Sequence, residues 1–121
     1  MNQVRYIVSD VDDAVAFYTE MLGFSVSQQF GTTIAILTRD DLELWLAGPE
    51  ASASRPMPDG TVPSPGGWNR FVIDVSDLES TVADLRAKGG KFRNEIVVGP
   101  GGKQILCEDP SGNVVELFES A

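Results

Sequence analysis

Two glutamates stand in near-identical settings, Glu43 inside Leu42-Glu43-Leu44 and Glu116 inside Val115-Glu116-Leu117. Each is followed two residues later by an aromatic, Trp45 in one case and Phe118 in the other. A carboxylate can move protons or hold a hard cation through oxygen. An aromatic ring offers a flat face to a ligand or a cation. Arg5 and Arg70 are the donors that would suit an acidic or carbonyl group. The sequence has no histidine, which excludes Ser/His/Asp triads, Cys-His dyads and any metal centre that depends on imidazole. Cys107 is the single cysteine. It sits in a predicted strand with no histidine to activate it, so it reads as a small buried hydrophobe rather than a nucleophile. Gly99-Pro100-Gly101-Gly102 lies between two predicted strands, with no helix start to bind phosphate, and reads as a turn.

The elements that must position these residues are written twice. Val8-Ser9-Asp10-Val11 recurs as Val75-Ser76-Asp77-Leu78, an offset of 67, and at the same offset Val15 matches Val82 and Tyr18 matches Leu85. The two glutamate triplets are a second echo, offset by 73. Each copy opens with a β-branched or aromatic strand, Val4 to Val8 and Phe71 to Val75. A helix follows, capped by Ser9 or Asp10 and by Ser76 or Asp77. Val11, Val15, Tyr18 and Leu22 fall on one face of the first helix; Leu78, Val82 and Leu85 do so in the second. Gly23 and Gly89-Gly90 end them. Three strands complete each copy, near 25–30, 32–38 and 41–47, then near 93–98, 103–108 and 113–118, with turns at Gly31, Arg39-Asp40 and Asp109-Pro110-Ser111-Gly112. The Pro-, Gly- and Ser-rich stretch from Pro49 to Gly67 has no apolar periodicity. It reads as an inter-module linker, with a mobile lid as the alternative.

At 121 residues, 42% hydrophobic and 22% charged, the chain is the size and composition of one ordinary globular domain. The formal charge of −9, from 9 basic and 18 acidic residues, gives no basic footprint for phosphates, so no nucleic-acid partner is expected. No apolar run approaches the roughly 18 residues of a spanning helix, so no membrane partner is expected. The polar start Met1-Asn2-Gln3 does not resemble a signal peptide, and the expected location is the cytoplasm.

The stretch Val8-Ser9-Asp10, Phe17-Tyr18 and Leu22-Gly23-Phe24, and the closing stretch from Glu108-Asp109-Pro110-Ser111-Gly112-Asn113 to Glu116-Leu117, resemble the signatures of the vicinal oxygen chelate superfamily. That superfamily includes glyoxalase I, the bleomycin-resistance proteins and the extradiol dioxygenases. The resemblance implies an α+β fold of two tandem βαβββ modules. Each is a curled mixed four-stranded sheet, and the two pair into a glyoxalase/bleomycin-resistance-type barrel. One domain over 1–121 is expected, with module 1 at 2–48, a linker or lid at 49–67 and module 2 at 68–120. The helix would lie on the convex side of each sheet and the site in the concavity. Strand alternation would then turn Val4, Tyr6, Val8, Phe71, Ile73 and Val75 to the helices. It would turn Gln3, Arg5, Ile7, Arg70, Val72 and Asp74 to the cavity. Glu43, Trp45, Glu116 and Phe118 would face inward, and Trp68 beside Pro65-Gly66-Gly67 would close over the mouth.

In metal-dependent members of the family, one residue from each first strand and one from each last strand hold a divalent ion. The matching positions here are Gln3, Glu43, Arg70 and Glu116. A guanidinium has no lone pair to donate, so Arg70 cannot be a ligand. The leading expectation is therefore no cofactor, with Arg70 supplying to the converging glutamates the charge an ion would bring. The alternative is a displaced zinc, nickel, manganese, iron or magnesium site using Gln3, Glu43, Glu116 and Asp74. Plainer readings leave the glutamates as solvated strand residues, Gln3 exposed, and Arg5 as an edge-strand charge. Three functions follow. The first is binding of a small planar or anionic molecule by Arg5, Trp45, Trp68, Arg70, Asp74 and Phe118. The second is a metal-dependent glyoxalase-like lyase, isomerase or dioxygenase with Glu43 or Glu116 moving protons. The third is a metal-free lyase or isomerase with a cavity glutamate as base. A homodimer is expected, because a curled sheet leaves faces and edges to be covered.

Overall fold

Alternation of apolar and polar side chains organises both halves of the chain. The computed structural model describes residues 2–121, which divide into two compact units, one through Gly66 and the other Gly67–Ala121. The first runs β1 (Gln3–Ile7), α1 (Val11–Glu20), β2 (Ser25–Phe30), β3 (Ile34–Arg39) and β4 (Leu42–Ala47). β1 lies parallel to β4, and β4, β3 and β2 continue as antiparallel neighbours. On the face that meets α1, Ala35, Leu37, Leu44 and Leu46 are fully buried together with Val11, Ala14 and Tyr18. Val15, expected in the helix stripe, is only half-buried, and Ala14 lies against the sheet instead. Its single methyl admits a closer approach than valine would. Asp10 caps α1 by accepting the Asp13 N–H at 2.9 Å, satisfying a backbone donor that helix geometry leaves over.

The second unit runs β5 (Val72–Asp74), α2 (Leu78–Ala87), β6 (Lys91–Phe92), β7 (Val97–Gly99), β8 (Gly102–Glu108) and β9 (Val114–Ser120). β5 is parallel to β9, β9 is antiparallel to β8, and β8 pairs with both β6 and β7. Leu78, Val82 and Leu85 of α2 are buried, as are Ile73, Ile105, Cys107, Val115 and Leu117. Asp77 repeats the cap, accepting the Ser80 N–H at 3.1 Å.

The architecture is α+β with two mixed sheets. It departs from the expectation in two ways. The sheet of the second unit has five strands rather than four, because the strand expected over 93–98 is broken. Asn94 Oδ1 accepts the Leu106 N–H at 3.0 Å, so a side chain takes the place of a strand carbonyl and the chain leaves the ladder there. Among the described residues, neither sheet closes into a barrel. The stretch expected as linker or lid is laid against the first unit as far as Gly66. It includes a 3-10 turn, Ser52–Ser54, anchored by the buried Ser54 hydroxyl, which donates to the Gly48 carbonyl at 2.7 Å. No helix is long and apolar enough to cross a membrane among the described residues.

The turn between β8 and β9 shows why Asp109 and Asn113 occur together. Both are buried. Asp109 Oδ1 accepts the Ser111 and Asn113 N–H groups, each at 2.9 Å, and Oδ2 accepts the Asn113 side-chain amide at 3.0 Å. Asp109→Ala leaves these donors without an acceptor in a closed turn. It is expected to cost about 2 kcal/mol, read as a lower midpoint in urea denaturation with an unchanged slope; an unchanged midpoint would contradict this account of the turn.

Candidate functional site

The candidate residues of the first unit lie on the sheet face turned away from α1. Register places Gln3 beside Glu43 and Arg5 beside Trp45 across the parallel β1–β4 pair, with Ile36 next to Trp45 on β3. Glu43 Oε1 accepts the Trp45 indole N–H at 2.7 Å. The Arg5 guanidinium carbon sits 4.9 Å from the centre of the Trp45 ring, within cation–π range. The indole is therefore held at its edge by Glu43 and covered on one side by Arg5. Trp45 offers a ligand one remaining face, not an open platform. Gln3 is exposed at the far end of the same row.

In the second unit Glu116 is 8% exposed, although its neighbours on β9, Val114, Val115 and Leu117, are all buried apolar residues. Arg70 Nε donates to Glu116 Oε1 at 3.0 Å, Nη2 lies 2.9 Å from the same oxygen, and Nη1 donates to the Trp68 carbonyl at 3.2 Å. Asp74 is exposed beside half-buried Phe118, one alternation further along the β5–β9 pair from Val72 and Glu116. Trp68 is 68% exposed and rests against another arginine, with Arg93 Cζ 4.6 Å from its ring centre.

Arg93 is the residue that sequence reasoning missed. It donates to Glu108 at 3.0 Å, to the Gly67 carbonyl at 2.7 Å and to the Gly112 carbonyl at 2.8 Å. One guanidinium thereby ties the start of the second unit, the end of β8 and the Asp109 turn. Its acceptors are 15, 26 and 19 residues away in the chain, and no local pattern distinguishes it from an ordinary surface arginine.

A divalent ion does not fit the Arg70–Glu116 pair. Arg70 offers only donors, and Glu116 Oε1 already holds two of them; a cation beside the guanidinium would also be repelled. A second acidic group, Asp77, Glu79 and Glu119, has carboxylate oxygens within 4.8 Å of one another. One cation already lies among them. Lys103 Nζ lies 2.9 Å from Glu79 and 3.9 Å from Glu119, and the Leu78 N–H at the start of α2 donates to Glu119 at 2.8 Å. The hydrogen bond from Lys103 holds the Glu79 carboxyl below the usual carboxylate range and raises the lysine in turn.

With this geometry stands a family match. A model described as the glyoxalase/bleomycin resistance protein/dioxygenase superfamily matches residues 1–117, and the chain belongs to that superfamily. It is 32% identical over 126 residues to a probable chloroplastic lactoylglutathione lyase of Arabidopsis thaliana, covering 98% of this chain but 35% of the lyase. It is 27% identical over 131 residues to human mitochondrial methylmalonyl-CoA epimerase, covering 99% of this chain and 73% of the epimerase. The fold matches the crystal structure of a superfamily member from Sphaerobacter thermophilus with a TM-score of 0.78 at 24% identity, over 99% of this chain and 96% of that one.

Cys107 stands outside any reactive arrangement. Burial, followed by the nearby Asp109 and Glu108 charges, pushes its thiol up to about 12. A thiol held there forms almost no thiolate at neutral pH. Alkylation by iodoacetamide at pH 8 is expected to follow the denaturant unfolding curve. Labelling of the native protein at the rate of a free thiol would contradict this assignment.

Proposed function

We propose that the chain binds a small planar or anionic molecule at the sheet faces turned away from its helices, without a catalytic metal. The observation that carries this reading is the Arg70–Glu116 pair. At a position where the family resemblance implies a metal ligand stands a cation, and the neighbouring carboxylate is bonded to it through 3.0 and 2.9 Å contacts. The Arg5–Trp45 stack supplies a flat apolar surface with a charge on it. In this reading the ligand-contacting candidates are Arg5 and Trp45 in the first unit and Trp68, Arg70, Asp74 and Phe118 in the second. The chain is one domain of two modules, 2–48 and 68–120, joined by 49–67, with one expected strand of the second module broken into two, and it acts as a cytoplasmic homodimer.

A metal-free lyase or isomerase is the second reading, favoured by the relatives named as a lyase and an epimerase. Both contacts from Arg70 fall on Glu116 Oε1. Oε2 is then the atom that would take a proton from a carbon acid, while a guanidinium N–H steadies the developing oxyanion.

Native mass spectrometry of tag-free protein, purified without chelators and offered aromatic carboxylates, tests these proposals together. The expected species is a metal-free dimer that takes up one small molecule per chain without turning it over. Arg70→His, which sets an imidazole beside Glu116, is expected to take up zinc or nickel where the parent does not. One divalent ion per parent chain, removed by Glu116→Gln, would overturn the metal-free reading; a changed ligand mass would favour the enzyme.

A further inference from the structure

Arg5 differs from the other arginines near the candidate residues. Arg70 is committed to Glu116, and Arg93 to Glu108 and two carbonyls. The Arg5 guanidinium, among the described residues, has the Trp45 ring as its contact and no hydrogen bond or ion pair. The ring restrains the guanidinium without using any of its N–H groups, so the fork stays available for a planar two-oxygen acceptor.

Two residues along the same face of β1 comes Ile7, about 7 Å from Arg5 by strand geometry. Ile7 forms one wall of a cavity of about 240 Å³, which Pro49 and Ser54 also line and which Val62, Pro63 and Pro65 cover from the stretch expected as a linker. None of its lining residues is charged; of the three serines on its wall, Ser9, Ser54 and Ser64, the Ser54 hydroxyl is spent on the Gly48 carbonyl, and the other six residues are apolar or proline. The cavity therefore suits an apolar group. Its volume lies below the roughly 300–1,000 Å³ of sites for drug-sized ligands, which limits the occupant to a single ring or a short acyl chain.

We propose that the first unit holds a small amphiphilic monocarboxylate, its carboxylate on Arg5 and its apolar body in the cavity under residues 49–65. The proposal rests on the binding reading above and names the ligand class for it. A monoanion is specified because Glu43 shares the face with Arg5 and the chain carries a net charge of −9, both of which disfavour phosphates and dicarboxylates. The 49–65 segment thereby becomes a wall of the site, and Glu43 a positioning residue that fixes Trp45 under Arg5.

Fluorescence titration in a Trp68→Phe background, which leaves Trp45 as the reporter, tests this with 3-phenylpropionate, its neutral amide, and the series from butanoate to hexanoate. The carboxylate is expected to bind at least about tenfold tighter than the amide, the contribution of a charge-assisted hydrogen-bonded pair. Arg5→Gln should abolish that preference and Arg5→Lys should restore part of it. Val62→Asp, at an exposed wall position, should flatten the gain from butanoate to hexanoate while keeping the preference for carboxylate over amide. Equal binding of acid and amide by the parent, or an undiminished acid preference in Arg5→Gln, overturns the proposal and leaves the binding reading standing. If none of these probes binds and neutral planar compounds also fail, the binding reading falls and this one with it.

Discussion

Glu116 sits in the buried half of its strand, beside Val114, Val115 and Leu117, which are packed away from water. A carboxylate so placed loses hydration worth several kcal/mol and keeps its charge only if a cation and hydrogen bonds replace the water. The parallel pairing of β5 with β9 decides which residue can do so. Val72 is the register partner of Glu116, and the residue two places earlier on the same face is Arg70. Much of the second unit's chemistry follows from that contact. A guanidinium occupies one carboxylate oxygen, and Trp68 is drawn in through its carbonyl.

The sheet faces were legible in the sequence because strands alternate with a period of two and both faces here have distinct chemistry. Leu42-Glu43-Leu44 and Val115-Glu116-Leu117 could be divided into residues facing the helix and residues facing away from it once the resemblance had placed the helix on one side. The caps at Asp10 and Asp77 and the Asp109–Asn113 turn were legible for the same reason, since each is a local side-chain-to-backbone bond within four residues. What could not be read depends on contacts distant in sequence. The bond from Trp45 to Glu43 is local, but the guanidinium over the ring comes from Arg5 on another strand. Arg93 draws its acceptors from three separate places. The break in the strand near Asn94 depends on a backbone donor on β8.

The two halves echo one another in sequence and have taken their charges in opposite directions. In the second unit the arginine and the glutamate are bonded, so their charges cancel where they stand. In the first, the glutamate is bonded to an indole N–H and the arginine lies on the ring without an anion. One half has a settled charge; the other holds a restrained cation next to an apolar cavity. Membership of the superfamily fixes the fold and leaves the chemistry to these side chains.

If Arg70 supplies the charge Glu116 requires, the two side chains are energetically coupled, and a double-mutant cycle measured by denaturant unfolding, with and without chelator, reads that coupling. Arg70→Leu alone should strand the carboxylate and cost about 3 kcal/mol, whereas Arg70→Leu with Glu116→Leu should recover most of that loss. Chelator should change none of the four values. Additive losses in the two single variants, or a parent stability that falls when chelator is added, would contradict the account.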